Sequence, residues 1–346
     1  DGVIAFDQLF LVKLLTAIGP LKVEGKKELV TAENVIDVLR RSKFRPADDT
    51  SPDWDDKAFL TPLASALLEK ILDGDVDWER LTRAILDSLA ERNLLIQVDN
   101  PALAAYAARQ GWDGAVQPGD GDFLLVADSN VGFNKTSAVV ETSLEYEVDL
   151  RSLVAPVATL SVTHTNNAEE MFTCRHWGKE RPPGEADYPI TDCYWDYMRV
   201  YRPAGTELLD SVAQFIPANW ILTYKSVPPR VDILDDEEIA GVQVFGTLKI
   251  VPGGHSRTTL MKFALPLNIF QLQPQSGQVA YRLRVQKQPG THNIPILSRV
   301  LLPEGALVDQ IPSGAVMDGS VLTYQTRLRT DLFFELLFLP PQANSE

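Results

Sequence analysis

The sequence predicts an α+β multidomain protein: a mixed α/β domain over residues 1–120, then two antiparallel β-sandwich modules of the immunoglobulin-like kind over 121–238 and 239–346. Three observations predict it. The chain has 346 residues, more than one compact core usually holds. Its hydrophobic period changes from 3.6 to 2 beyond Gly121. The motif R-V-x-x-P-x-G, read at Arg199-Val200-Tyr201-Arg202-Pro203-Ala204-Gly205, returns at Arg299-Val300-Leu301-Leu302-Pro303-Glu304-Gly305. That spacing fits sandwiches of about 100 residues each, divided near the acidic run 232–238. One larger sandwich is the alternative.

The elements of the first domain follow in order. Residues 3–6 are a strand-like apolar run directly after Asp1, with no initiator Met and no leader, which predicts a piece of a longer chain. Leu9, Phe10, Val12, Leu14, Leu15 and Ile18 have helical spacing, stopped by Gly19-Pro20. A short strand over 21–23 precedes Thr31-Ala32-Glu33-Asn34, an N-terminal signature for a helix carrying Val35, Ile36, Val38 and Leu39. Arg40 and Arg41 fall in its last turn, where cations suit the helix dipole. Helical patterns cover 60–72 and 78–89, separated by Asp73-Gly74-Asp75. A strand over 94–98 and an Ala-rich helix opened by Asn100-Pro101 complete the domain.

Beyond Gly121, Leu144-Glu145-Tyr146-Glu147-Val148-Asp149-Leu150 alternates strictly between apolar and acidic. On a pleated strand that puts one face in the core and the other in water. Tyr281-Arg282-Leu283-Arg284-Val285-Gln286 does the same with basic residues outside. Further strands are predicted over 157–165, 198–201, 242–250, 259–265, 298–302, 321–328 and 332–339. Turn chemistry bounds several of them, at Pro203-Ala204-Gly205, Pro252-Gly253-Gly254, Pro289-Gly290 and Pro303-Glu304-Gly305.

Composition excludes some functions. Hydrophobic residues make up 45% of the chain and charged ones 23%, while 32 basic against 47 acidic side chains give a net charge of −15. Nucleic-acid binding needs concentrated Lys and Arg, which this chain does not offer. No apolar run is long enough to span a bilayer.

Most motif-like stretches dissolve on inspection. Gly132-Phe133-Asn134-Lys135-Thr136 ends like a phosphate loop, but Asn134 and Ser129 occupy the two glycine places, leaving only a possible anion or sugar site at Lys135. Asn130, Gly132 and Asn134 predict a turn-rich connection there. Asp73-Gly74-Asp75-Val76-Asp77 alternates like a calcium loop, but its sixth and twelfth positions are Trp78 and Ala84, so it reads as an interhelix turn with capping acids. The acids of 232–238 read as a solvated linker. His164, His176, His255 and His292 lack ligand spacing, no Ser stands in a nucleophile elbow, and neither a metal nor a cofactor is expected.

Cys174 and Cys193 are the only cysteines. In one Pro-rich loop stretch they predict a disulfide and an oxidising compartment, the alternative being two buried thiols.

Several stretches resemble a known family. Residues 1–7, 14–23 and 29–35, then Leu94-Leu95-Ile96-Gln97-Val98 with Gly111-Trp112-Asp113-Gly114, and above all Asp128-Ser129-Asn130-Val131-Gly132-Phe133-Asn134-Lys135-Thr136, are similar to the bacterial proteins grouped as domain of unknown function 4012. The likeness covers about residues 1–205. It implies an extracytoplasmic protein, anchored at the cell surface by a membrane segment upstream of this chain. The N-terminal order of elements, with the Thr-Ala-Glu-Asn helix and Arg40-Arg41, also resembles the LytR-CpsA-Psr family, which transfers glycopolymers from a polyprenyl pyrophosphate carrier to the cell wall. That likeness implies an anion site at Arg40, Arg41 and Arg45. Where that family's next helix opens with Arg-Gln, this chain has Asp55-Asp56-Lys57, two acids at the intended anion site.

The expectation is therefore a cell-envelope protein acting as a non-enzymatic binding or structural surface module, with a wall polymer or another surface protein as partner. The alternative is a degenerate phosphotransferase of the LytR-CpsA-Psr type.

Overall fold

The computed structural model describes residues 1–42, 58–74, 76–176 and 192–341. Arg45 and the Asp55-Asp56-Lys57 stretch lie outside the described residues. The chain forms two units, one of Asp1–Ala115 with Pro289–Thr291, the other of Val116–Gln288 with His292–Glu346.

Among its described residues the first unit holds five helices and a two-stranded antiparallel sheet: β1 (Gly2–Phe6), α1 (Gln8–Ile18), α2 (Val35–Arg41), α3 (Leu60–Leu72), α4 (Trp78–Ala90), β2 (Leu94–Val98) and α5 (Pro101–Gln110). Asp7 caps α1 by accepting from the Phe10 N–H at 2.9 Å, and Asn100 caps α5 through the Ala102 and Leu103 N–H groups. Leu11, Leu14, Leu15 and Ile18 form one apolar stripe that packs with Val35, Val38, Leu39, Leu63 and Leu81. Asp77 caps α4, as the interhelix-turn reading requires. One expectation shifts. The predicted strand over 21–23 is only a single bridge, Leu21 to Val30. Helix α2 carries Val35, Ile36, Val38 and Leu39 as expected, and at its N-terminal signature the Asn34 side chain accepts from the Thr31 N–H while the Val35 N–H donates to the Thr31 carbonyl.

The second unit contains β3 (Asp122–Ala127), β4 (Val140–Asp149), β5 (Val157–Asn166), β6 (Tyr194–Pro203), β7 (Glu207–Val212), β8 (Asp232–Ile233), β9 (Val242–Val251), β10 (Ser256–Ala264), β11 (Phe270–Leu272), β12 (Val279–Gln286), β13 (Ile294–Leu301), β14 (Leu307–Gln310), β15 (Val316–Asp318), β16 (Val321–Leu328) and β17 (Leu332–Leu339). A seven-stranded sheet runs β15-β16-β13-β4-β5-β10-β7. An eight-stranded one runs β14-β17-β12-β3-β6-β9-β8, with β11 on β12. Their facing side chains, including Leu124, Val200 and Leu283 from one sheet and Tyr146, Leu160 and Val300 from the other, form one core.

This corrects the predicted division into separate modules at 238/239 and their immunoglobulin-like, wholly antiparallel character. Each sheet consists of two blocks that are fused edge to edge by one parallel pair, β3 with β12 and β4 with β13. The physical reason is the strand edge. Alone, β3 and β4 would each leave a row of backbone groups unpaired, and β12 and β13 satisfy them while continuing the same buried faces. The acidic run is not the boundary either, since β8, β9 and β10 belong to the first block. The repeated R-V-x-x-P-x-G motif marks instead a strand that leaves its sheet through a tight turn. β6 crosses to β7 and β13 to β14, each time between sheets. Thr206 N–H donates to Pro203 and Ala306 N–H to Pro303, both at 3.1 Å.

Candidate functional site

Period-2 geometry sends Asp122, Leu124, Val126 and Asp128 of the β3 segment, and Asp196, Met198, Val200 and Arg202 of β6, to the inner face. The apolar members fill the middle of the core. The charged ones stand at its two ends.

At one end Arg202 donates to Asp122 Oδ1 at 2.9 Å and to the Phe123 carbonyl at 2.8 Å, while the Tyr146 and Tyr281 hydroxyls donate to Asp122 Oδ2 at 2.6 and 2.7 Å. Burial, above all, pushes both phenols well above their ordinary value, with the Asp122 charge adding to it.

At the other end His164 of β5 and Lys249 of β9 join Asp128 and Asp196. His164 Nε2 lies 2.8 Å from Asp128 Oδ2, and Lys249 Nζ lies 2.7 Å from His164 Nδ1, 3.1 Å from Met198 Sδ and 3.2 Å from Asp196 Oδ2. Asp196 Oδ1 accepts from the Ser129 N–H at 2.8 Å and the Tyr194 hydroxyl at 3.3 Å. Burial and then the Lys249 ammonium lower the His164 imidazole, so it is neutral, with Nε2–H donating to Asp128 and Nδ1 accepting from Lys249. Burial would raise Asp128, but His164 and Lys249 outweigh it and hold that carboxyl below the usual range. Asp196 goes the other way, pushed up to about 7 by burial first and by the Asp128 charge, against the pull of Lys249.

Asp128, His164 and Asp196 offer ligand atoms within 4.8 Å of one another, a spacing that a metal ion could use. The residues do not fit one. Lys249 already places a cation among them, and a second one beside it in a dry site would be strongly repelled.

The loop after Asp128 is stapled to the disulfide. Asn130 Oδ1 accepts from the Gly132 N–H at 2.9 Å, Asn134 Oδ1 from the Thr136 N–H at 3.2 Å, and Asn134 Nδ2 donates to the Cys193 carbonyl at 2.9 Å. The residue with positive φ is Phe133, at 53°, not Gly132. Gly132 is needed for space: a Cβ there would stand 2.8 Å from Trp195 Cε3. Cys174 and Cys193 form the expected disulfide, with Cα atoms 5.7 Å apart, buried against Trp195, Ile216 and Ile250. Phe172 and Phe215 adjoin Met171 and Ile216 of this cluster along the chain, Phe133 meets the His176 ring that packs on Trp195, and the Tyr224 N–H donates to the Ile221 carbonyl; all four rings are half or more exposed.

Of the predicted anion-binding residues, Arg40 and Arg41 belong to the first unit and Lys135 to the second, while Arg45 lies outside the described residues. Arg40 and Arg41 sit in the last turn of α2, as expected, and Arg41 faces Glu28 at 3.7 Å and the Asp37 carbonyl at 3.4 Å. Lys135 is exposed in the other unit, opening a 3₁₀ turn over Thr136–Val139. Glu237 of the acidic run is not merely solvated, for it accepts from Arg199 at 2.6 Å. The cluster around Lys249 was not predicted, because its members are scattered along the chain and His164 has no ligand spacing.

No protein-family model matches the chain, and no curated protein does. Among solved structures, a candidate nutrient-binding protein from Legionella pneumophila is 9% identical over 64% of this chain and 73% of its own, with a TM-score of 0.37. An M1 zinc metallopeptidase from Deinococcus radiodurans is 10% identical over 58% of this chain, which spans only 42% of that enzyme, with a TM-score of 0.25. Neither likeness is close enough to bear on function.

Proposed function

We propose that this chain works outside the cytoplasm as a non-enzymatic module of the cell envelope, binding a wall polymer or another surface protein. The observation that carries the reading is the buried Cys174–Cys193 disulfide with exposed Phe133, Phe172, Phe215 and Tyr224 around it. A disulfide set in a packed cluster belongs to an oxidising compartment. Exposed rings held by a stapled framework lose little freedom on binding and offer flat apolar faces to a sugar ring or a protein side chain. By contrast Arg202 with Asp122 and Lys249 with Asp196 are turned inward on one another in the core.

The test is sedimentation of the purified chain with isolated cell walls and with defined wall polymers. Binding that is lost in Phe172→Ser with Tyr224→Ser, at an unchanged melting temperature, supports the reading. Binding that survives this double substitution but is lost in Lys135→Ala would move the site to the loop after β3, and no binding to any wall fraction or surface protein would overturn it.

A further inference from the structure

Lys249 is an unusual core residue. Its register partner across β6 and β9 is Asp196, directly opposite on neighbouring antiparallel strands. Nζ stands 3.2 Å from Asp196 Oδ2 with both side chains 1% exposed or less, and yet that oxygen accepts no hydrogen bond. Asp128 Oδ1 is likewise buried and meets no N–H donor, the Asp128 carboxyl lying within hydrogen-bonding reach of the Asp196 carboxyl. An ion pair kept in a dry core without full hydrogen bonding is costly to maintain. An ammonium and a carboxylate in contact have a second way to shed that cost, which is to lose water and become an uncharged amide.

The surroundings supply what such a condensation needs. A nitrogen nucleophile must give up protons, and His164 Nδ1 accepts from Nζ at 2.7 Å while its Nε2 lies 2.8 Å from Asp128 Oδ2. The carboxyl under attack must be in its acid form, and Asp196 is pushed toward that form by burial and the Asp128 charge. Water must be able to leave and not return. Asp128, with 15% of its side chain exposed, is the edge of the cluster that reaches solvent, whereas Met198 and the Tyr194 ring stacked on His164 close the rest. The Arg202–Asp122 pair at the opposite end is equally buried, but a guanidinium is not a nucleophile at any accessible pH, so it stays an ion pair.

We propose that the folded chain joins Lys249 to Asp196 through an intramolecular isopeptide bond. The Lys249 ammonium passes one proton to His164 Nδ1, with Asp128 stabilising the imidazolium. The freed nitrogen lone pair attacks Asp196 Cγ, and a new C–N bond forms. The Cγ–O bond breaks, its electron pair leaves with the oxygen, and that oxygen departs as water with the second nitrogen proton and the carboxyl proton. The third proton stays on the amide nitrogen, and His164 returns its proton to solvent, replacing the one that Asp196 took up to reach its acid form. In sum an ammonium and a carboxylate become an amide and one water, and no oxidant or outside reagent enters. The bond would clamp β6 to β9 beside the disulfide, and it stands or falls independently of the function proposed above.

Intact mass spectrometry of the full chain, purified folded and then reduced and denatured, decides it. The expected mass is one water below that of the sequence. A tryptic digest is expected to contain a branched species linking the segments that bear Lys249 and Asp196, with no cleavage after Lys249. Lys249→Arg and Asp196→Ala are each expected to restore the full mass, and Asp128→Asn to slow the loss of water on the order of 100-fold. A natively folded wild-type chain with its disulfide closed and its full sequence mass would overturn the proposal without recourse to any variant. A mass deficit that persists in Lys249→Arg would overturn it as well.

Discussion

Arg202 and Asp122 form an ion pair at 2.9 Å in which neither side chain is exposed at all. Desolvating both groups is tolerable only because Asp122 is also given the Tyr146 and Tyr281 hydroxyls and Arg202 the Phe123 carbonyl. Asp122→Ala leaves the guanidinium buried without its counter-charge and is expected to destabilise the second unit by about 3–5 kcal/mol. Replacing both members, as Asp122→Leu with Arg202→Met, is expected to cost less than that single change. Urea denaturation of the three chains measures the difference.

The two phenols around Asp122 set an alkaline limit. Their folded values lie above the ordinary 10, chiefly through burial, so the native state keeps both protonated where the unfolded chain has released the protons. Their stabilising contribution is therefore complete below pH 10 and lost as pH rises beyond it, by about 1.4 kcal/mol per pH unit for each phenol. Tyr281→Phe should make the fall of stability above pH 10 shallower than in the wild type. Denaturation midpoints measured across that range provide the comparison, and equal slopes would contradict the assignment.

Reduction should weaken the second unit. Cys174 and Cys193 close a loop of nineteen positions, for which the chain-entropy model gives about 3 kcal/mol. Cys174→Ser with Cys193→Ser is expected to lower stability by that order. The same pair of substitutions also frees the Cys193 carbonyl region that holds Asn134, so altered Trp195 fluorescence should accompany the loss. Guanidinium denaturation with and without reductant provides the check.

Arg40 and Arg41 should be dispensable for chemistry. They occupy a helix end where cations are favoured by the dipole alone, and Arg41 is already engaged with Glu28 and Asp37. Incubation of the purified chain with magnesium and a polyprenyl pyrophosphate is expected to release no phosphate. Turnover that disappears in Arg40→Ala would place the protein among phosphotransferases.

Much of the secondary structure was legible because each element has one wet face and one dry face. Leu11, Leu14, Leu15 and Ile18 repeat at helical spacing because only one stripe of α1 meets the core. Residues 144–150 alternate because β4 buries Leu144, Tyr146 and Val148 and shows acids to water. The same rule explains the most consequential omission. β3 is packed on both faces, with Leu124 and Val126 in the sandwich core and Phe123 and Leu125 against Tyr201 and Val244. Its run of apolar residues therefore has no period to read, and it is this strand that leads from Asp122 to Asp128.

The cysteine pairing, the turns and the helix ends depend on neighbours close along the chain, so local chemistry was enough to predict them. Fusion of the blocks through β3 with β12 and β4 with β13 depends on backbone edges, which carry no side-chain signature. Lys249, Asp196, His164 and Asp128 each look ordinary along the chain. Only strand register, which sets Lys249 opposite Asp196, and closure of the second sheet, which brings His164 over them, made a reactive cluster of these four. A charge acquires its chemistry from the water removed around it, and that removal is a property of the packed sheets.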